Sequence, residues 1–413
     1  MAVDRLHNLS RLSGMLALAA VLAMGAASPA SAARTRRHHR HHAYRGSGPP
    51  YHAELLEDAD SGTVLFAQSA DLHWPPASMA KMMLLLVAED QIRDGRMRLE
   101  DPVRISERAA NTRGSHLGMR EGDVYPLGEL MKAALIKSAN DAAVAVAEKI
   151  AGSVEACVRL MNEKAHELGM NDTYYGTVNG LPPRPDHDVD HTTALDLATL
   201  ARAIIHNTDL LEWSRLETAS FDGGTRTLRN TNHLVGHFDG CDGLKTGFTV
   251  QAGFNLTATA KRGDMRLVSV VLGAPSNPQR FALTARLLRW GFDNFTKVQV
   301  LRRGEPLPVH VQVQSGPMIQ PISESDIALV VPKTKTSAVK LEYNVPQMVN
   351  GPVASGDSLG QVIVLDGGDV LTKVDAICPL TVGEPQRAGD SLSVSNSGGT
   401  AQSSALPISS NPK

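Results

Sequence analysis

The run Trp-Pro-Pro-Ala-Ser-Met-Ala-Lys-Met-Met-Leu-Leu-Leu-Val-Ala-Glu-Asp, from Trp74 to Asp90, constrains the fold more than any other stretch. It reads as a short loop entering a helix. Met82 to Val87 is apolar on every side of that helix, so the helix belongs in a core rather than on a surface. Ser78 and Lys81 stand at its mouth, three residues apart and therefore on one face. Taken alone, the pair reads as a capping serine and a snorkelling lysine. The rest of the chain changes that reading.

Around this helix the hydrophobic period shifts several times. Ala53–Ala59 and Thr63–Ala67 alternate as strands about the turn Asp60-Ser-Gly62. Residues 68–215 are mostly helical in pattern. Pro126 suits the first turn of one helix, Asp141–Ile150 is a small-residue helix, and Val154–Leu168 is amphipathic. A helix over Ala194–Ile205 takes Thr192 or Thr193 as its cap. Strand patterns return from Phe221 through Leu272, and Asn277–Trp290 closes as an amphipathic helix. Strands, then helices, then strands, then a helix predict an α+β domain over residues 51–293. Its antiparallel sheet carries an all-helical insert. Short strands separated by Pro and Gly predict a small all-β domain over 294–382. Residues 383–413, rich in Ser, Gly, Asn and Pro, read as a disordered tail without an amphipathic membrane helix.

The ends of the chain bear on location. Arg5 and Arg11 precede the apolar run Met15–Ala27, and small residues follow to Ala33. Residues 1–32 therefore read as an export signal, too short for a comfortable span, with an uncleaved anchor as the alternative. The expected location is the periplasm or the outer face of the cytoplasmic membrane. Residues 33–50 are a basic, His-rich linker suited to peripheral contact with membrane or wall polymer; weak metal binding is its second reading. A net charge of −2 excludes the whole chain from reading as a nucleic-acid binder. Cys157, Cys241 and Cys378 are scattered and signal neither a metal site nor a disulfide framework. Cys241 is expected to be a buried apolar residue rather than a reactive thiol.

Three separated elements then fall into one set: Ser78-Met-Ala-Lys81, Ser138-Ala-Asn140 and Lys245-Thr-Gly247. Each is weak alone. In this order they match the S-x-x-K, S-x-N and K-T-G motifs of active-site serine penicillin-recognising enzymes. With Leu135–Ala143, Asn179-Gly-Leu-Pro182, His191–Ala194 and Asp242–Thr249, the chain resembles the low-molecular-mass penicillin-binding proteins that are D-alanyl-D-alanine carboxypeptidases. The resemblance spans roughly 53–292, and the β domain resembles that family's C-terminal domain more weakly.

The resemblance implies a β-lactamase/transpeptidase-like fold and a serine carboxypeptidase acting on peptidoglycan stem pentapeptides, with β-lactams as covalent inhibitors. It implies Ser78 as nucleophile, Lys81 as general base, Ser138 as proton relay and Asn140 as the group that fixes Lys81 and the substrate amide. Lys245 and Thr246 would grip the terminal carboxylate. Gly247 would let the substrate lie close, and the Phe248 backbone N–H would join that of Ser78 in the oxyanion hole. Some relatives carry histidine where Phe248 stands. No cofactor or metal is implied. Three other functions stay open: an endopeptidase of peptidoglycan crosslinks, a β-lactamase, and a non-catalytic wall-binding module. Class A β-lactamases need a deacylating glutamate on a loop between the second and third motifs, and no such residue is expected here.

Overall fold

The computed structural model describes residues 51–182, 189–366, 368–382 and 402–404. The signal segment, the His-rich linker and most of the tail lie outside the described residues.

The α+β expectation matches the structure. Strands β1 (Ala53–Asp58), β2 (Val64–Gln68), β3 (Cys241–Thr249), β4 (Gly253–Arg262) and β5 (Met265–Ala274) form one antiparallel sheet in the order β2-β1-β5-β4-β3. β1 lies beside β5, with Ala53 opposite Leu272 and Asp58 opposite Leu267. The first and last strands of the sheet's sequence thus enclose everything between them. β3 is an edge strand.

The two faces of the sheet support separate cores, and β1 shows why. Neighbouring residues on a strand point to opposite faces. Leu55 joins the core beneath the helical insert, and Leu56 joins the core beneath the closing helix; both are fully buried. The insert supplies α1 (Ala80–Arg93), α2 (Leu127–Ile136), α3 (Asn140–Ala151), α4 (Val154–Glu167), α5 (Ala194–Asn207) and a short helix over Leu210–Ser214. Every residue of α1 from Ala80 to Ala88 is buried, as its apolar sequence requires. Ser153 and Thr193 cap α4 and α5, each accepting a main-chain N–H from three residues on. Pro126 is not in the first turn of α2: it caps that helix in an extended conformation, because it also pairs with Pro102 in a small hairpin. A second hairpin, Thr218–Phe221 with Arg226–Arg229, precedes β3.

The closing helix α6 (Asn277–Asn294) runs directly into the β-rich segment that starts at Phe295. Phe295 and Val330 complete the core under α6, and Lys333 Nζ donates to the Phe292 carbonyl at 3.0 Å. Beyond this junction the chain forms three small sheets. The largest places Ser358–Asp366 between Val339–Asn344 and Asp369–Ile377. Its outer strand is Gln402–Ser404, antiparallel to Val339–Asn344. A strand edge offers unpaired backbone groups that even a polar segment can satisfy; the rest of 383–413, expected to be disordered, lies outside the described residues.

Leu84 is fully buried at the centre of α1. Leu84→Ala is expected to cost about 2–5 kcal/mol of unfolding free energy, read from denaturant melts.

Candidate active site

The site forms where α1, the start of α3 and the free edge of β3 meet. The helical insert, the sheet and a loop each contribute one wall.

A one-turn 3-10 helix, Ala77–Met79, leads into α1 and presents Ser78 half-exposed at the cleft. Several contacts hold this turn. Trp74 exchanges main-chain hydrogen bonds with Thr192, and its indole N–H donates to the Ala252 carbonyl at 2.8 Å. Asn255, fully buried on β4, donates to the Pro75 carbonyl at 2.9 Å and accepts from the Gly273 N–H at 2.8 Å. Ala77 adopts φ +50°, a left-handed conformation unfavourable for any residue with a Cβ. Gly247 matters for the same packing. A Cβ there would lie 2.6 Å from the Pro76 carbonyl oxygen and 3.2 Å from the Ala77 Cβ. Its missing side chain therefore makes room for the serine turn.

Lys81 is fully buried, and its Nζ lies 2.9 Å from Ser78 Oγ. The same nitrogen donates to the Asn179 carbonyl at 3.2 Å. Burial drives its pKa down to about 7, against an opposing pull from the Asp141 carboxylate. Lys245 on β3 is also buried and is pushed well below the usual lysine range, first by burial and then by the charges of Lys81 and Arg280.

Ser138 and Asn140 stand at the α2–α3 junction. Ser138 has φ +63° and is nearly buried. Asn140 donates from Nδ2 to the Arg113 carbonyl at 2.7 Å, while its buried Oδ1 has no hydrogen-bond partner among the described residues. Among the described residues, Asn140 is not one of the hydrogen-bond partners of Lys81 Nζ, which are Ser78 Oγ and the Asn179 carbonyl. Asn140 is held by the loop before α2, which its own N–H also meets at the Ser115 carbonyl, 2.7 Å away. Asp141 secures that loop, its Oδ2 accepting from the N–H groups of Leu117 and Gly118 at 2.8 and 3.0 Å.

Thr246 donates its hydroxyl to Thr231 Oγ1 at 2.8 Å. Phe248 is 50% exposed and stacks on Phe254, ring centroids 4.3 Å apart. Arg280 of α6, which sequence patterns do not single out, donates to the carbonyls of Gly247 and Asn255 at 3.0 and 3.2 Å. It anchors the same end of β3 from the opposite face of the sheet.

Cys241 is buried, and burial pushes its thiol up to about 11. Among the described residues no group of three His, Cys, Asp or Glu side chains is arranged to hold a metal ion. One Glu-x-x-x-Asn spacing does fall between the second and third motifs, Glu167 to Asn171, contrary to expectation. Glu167 closes α4 with its side chain 62% exposed and paired to Lys164, so it is a helix-surface residue.

Comparison with known proteins follows this geometry. Residues 51–276 match the family D-alanyl-D-alanine carboxypeptidase, and residues 295–384 match the penicillin-binding protein 5 C-terminal domain. The chain is 31% identical over 329 residues to the D-alanyl-D-alanine carboxypeptidase DacF of Bacillus subtilis, covering 77% of this chain and 82% of the relative. It is 33% identical over 329 residues to DacD of Escherichia coli, covering 77% and 84%. Among solved structures, penicillin-binding protein 5 from Haemophilus influenzae superposes with a TM-score of 0.72 at 30% identity, over 82% of this chain and 100% of that one. By a match spanning more than half its length, and by relatives aligned over most of theirs, this chain belongs to the D-alanyl-D-alanine carboxypeptidase family of low-molecular-mass penicillin-binding proteins.

Proposed function

We propose that the protein is a serine-type carboxypeptidase that removes the terminal D-alanine from peptidoglycan stem pentapeptides through an acyl-enzyme on Ser78. The observation that carries this reading is the 2.9 Å contact between Ser78 Oγ and a buried lysine whose pKa is lowered to about 7. A serine hydroxyl needs an adjacent base, and a desolvated lysine supplies one at neutral pH.

In this reading neutral Lys81 takes the Ser78 proton as Oγ attacks the carbonyl carbon of the penultimate D-alanine. The backbone N–H groups of Ser78 and Phe248 stabilise the oxyanion. Ser138 relays the proton taken up by Lys81 to the departing amine of the terminal D-alanine, and the C–N bond breaks. Asn140 offers its unpaired Oδ1 to an amide N–H of the substrate. Lys245 and Thr246 hold the terminal carboxylate, with Arg280 adding positive charge beneath them. Carboxylate binding would return Lys245 toward its protonated form, because an anion offsets what burial costs the ammonium. Water then hydrolyses the ester. β-Lactams enter the same acylation step and stall there. Export to the outer side of the cytoplasmic membrane fits both the N-terminal sequence and the location of such a substrate.

The test is D-alanine release from a muramyl pentapeptide. Wild type is expected to release it, and Ser78→Ala is expected to lose at least about a thousandfold in rate. Absence of release, with Ser78 still forming a penicillin adduct, would redirect the reading to crosslink cleavage.

The pH dependence has a definite sign. Only the neutral amine accepts a proton, so acylation should approach its plateau above about pH 8 and be half-maximal near pH 7. Below that it should fall by about tenfold per pH unit as Lys81 protonates. Stopped-flow acylation by a chromogenic β-lactam from pH 5 to 9 measures this, and a flat profile would remove Lys81 from the role.

A further inference from the structure

We infer that Asp190 is a positioning residue for the Lys81 base, acting through Thr177 and Gly180 on the carbonyl of Asn179. The inference rests on the acyl-serine reading above and extends it to a residue that touches neither substrate nor nucleophile.

Asp190 is 4% exposed. Its Oδ1 accepts the N–H groups of Gly176 at 2.7 Å and Thr177 at 3.0 Å, and its Oδ2 accepts the Thr177 hydroxyl at 2.8 Å. Thr177 Oγ1 in turn accepts the Gly180 N–H at 2.9 Å. A hydroxyl has one proton to give. Because Asp190 takes that proton, a lone pair of Thr177 Oγ1 is left for Gly180. The order of donation is therefore set by the carboxylate.

The held loop abuts the nucleophile turn. Gly180 has φ +73°, and a Cβ there would lie 1.7 Å from the Ala77 carbonyl oxygen. Asn179, between the two anchored residues, directs its carbonyl at Lys81 Nζ, 3.2 Å away. Among the described residues, Lys81 Nζ makes hydrogen bonds with Ser78 Oγ and the Asn179 carbonyl.

A neutral amine acting as base has to aim its lone pair at the Ser78 hydroxyl. One of its N–H bonds must then point elsewhere, and the Asn179 carbonyl receives it. If that carbonyl drifts, the amine rotates about its terminal C–C bond and the lone pair no longer faces Oγ. Proton transfer from Ser78 is the step that suffers. The grip on the substrate carboxylate, at Lys245 and Thr246, is unaffected.

Two substitutions break the relay differently. Thr177→Val keeps the shape and removes the oxygen. Asp190→Asn keeps one acceptor oxygen but can turn an N–H toward Thr177, so the hydroxyl meets two donors and loses its acceptor. Thr177→Ser retains the relay. Acylation of the full chain by a fluorescent penicillin at pH 8 is resolved into the dissociation constant of the initial complex and the first-order acylation rate. Thr177→Val and Asp190→Asn are expected to slow the first-order rate by about tenfold or more. Their dissociation constants should stay within about twofold, and Thr177→Ser should stay near wild type. If Thr177→Val does not fold, Asp190→Asn carries the test. Rates within about twofold of wild type, or a loss confined to the dissociation constant, overturn the inference. Wild-type acylation with unaltered variants defeats this inference alone, whereas a wild type that is never acylated defeats the acyl-serine reading itself.

Discussion

The burial of Lys81 is the constraint on which the rest of the site depends. An ammonium fully removed from water is unfavourable by several kcal/mol unless paired or neutralised. Here the nearest contacts are a hydroxyl and a backbone carbonyl rather than a carboxylate. Burial lowers the Lys81 pKa to about 7, and in the proposed mechanism the neutral form is the base that serves Ser78. The apolar helix α1 is thus both part of the helical core and the element that buries Lys81. Its methionines and leucines exclude the water that would otherwise keep Lys81 charged.

Around that lysine, the structure holds the serine turn by contacts from the sheet and a loop. Asn255 ties the turn to the sheet, Gly247 lets β3 approach it, and Gly180 brings a loop against it. Ala77 and Ser138, both with left-handed backbone, flank or carry the cleft serines. Such conformations cost on the order of 1–3 kcal/mol each, and the surrounding packing must supply that.

Much of this was legible in sequence, and the reason is local. The serine, lysine and asparagine of the first two motifs and the Lys-Thr-Gly of the third are short patterns whose members sit within one turn or one strand. The α+β order of elements was legible too, because the period of the apolar residues shifts at each change. What escaped acts through backbone atoms or distant contacts. The Asn179 carbonyl has no side-chain signature, Asn255 and Arg280 meet the site only after the sheet has formed, and Asp190 reaches Thr177 from the far end of an irregular loop. That Gly247 also makes room for the serine turn became visible only once β3 was packed against it.

The pairing of β1 with β5 has a consequence for how the molecule comes into being. Ala53 meets Leu272, so the middle of the sheet joins two ends of a long segment. Contacts this remote in sequence are slow to form, since the loop between them must be closed before they contribute. During synthesis β1 and β2 emerge before the helical insert, and β1 gains its second neighbour only when β5 follows. A chain halted before Met265 lacks the strand that joins β1 to β4, and with it the sheet that brings the edge strand β3 beside α1.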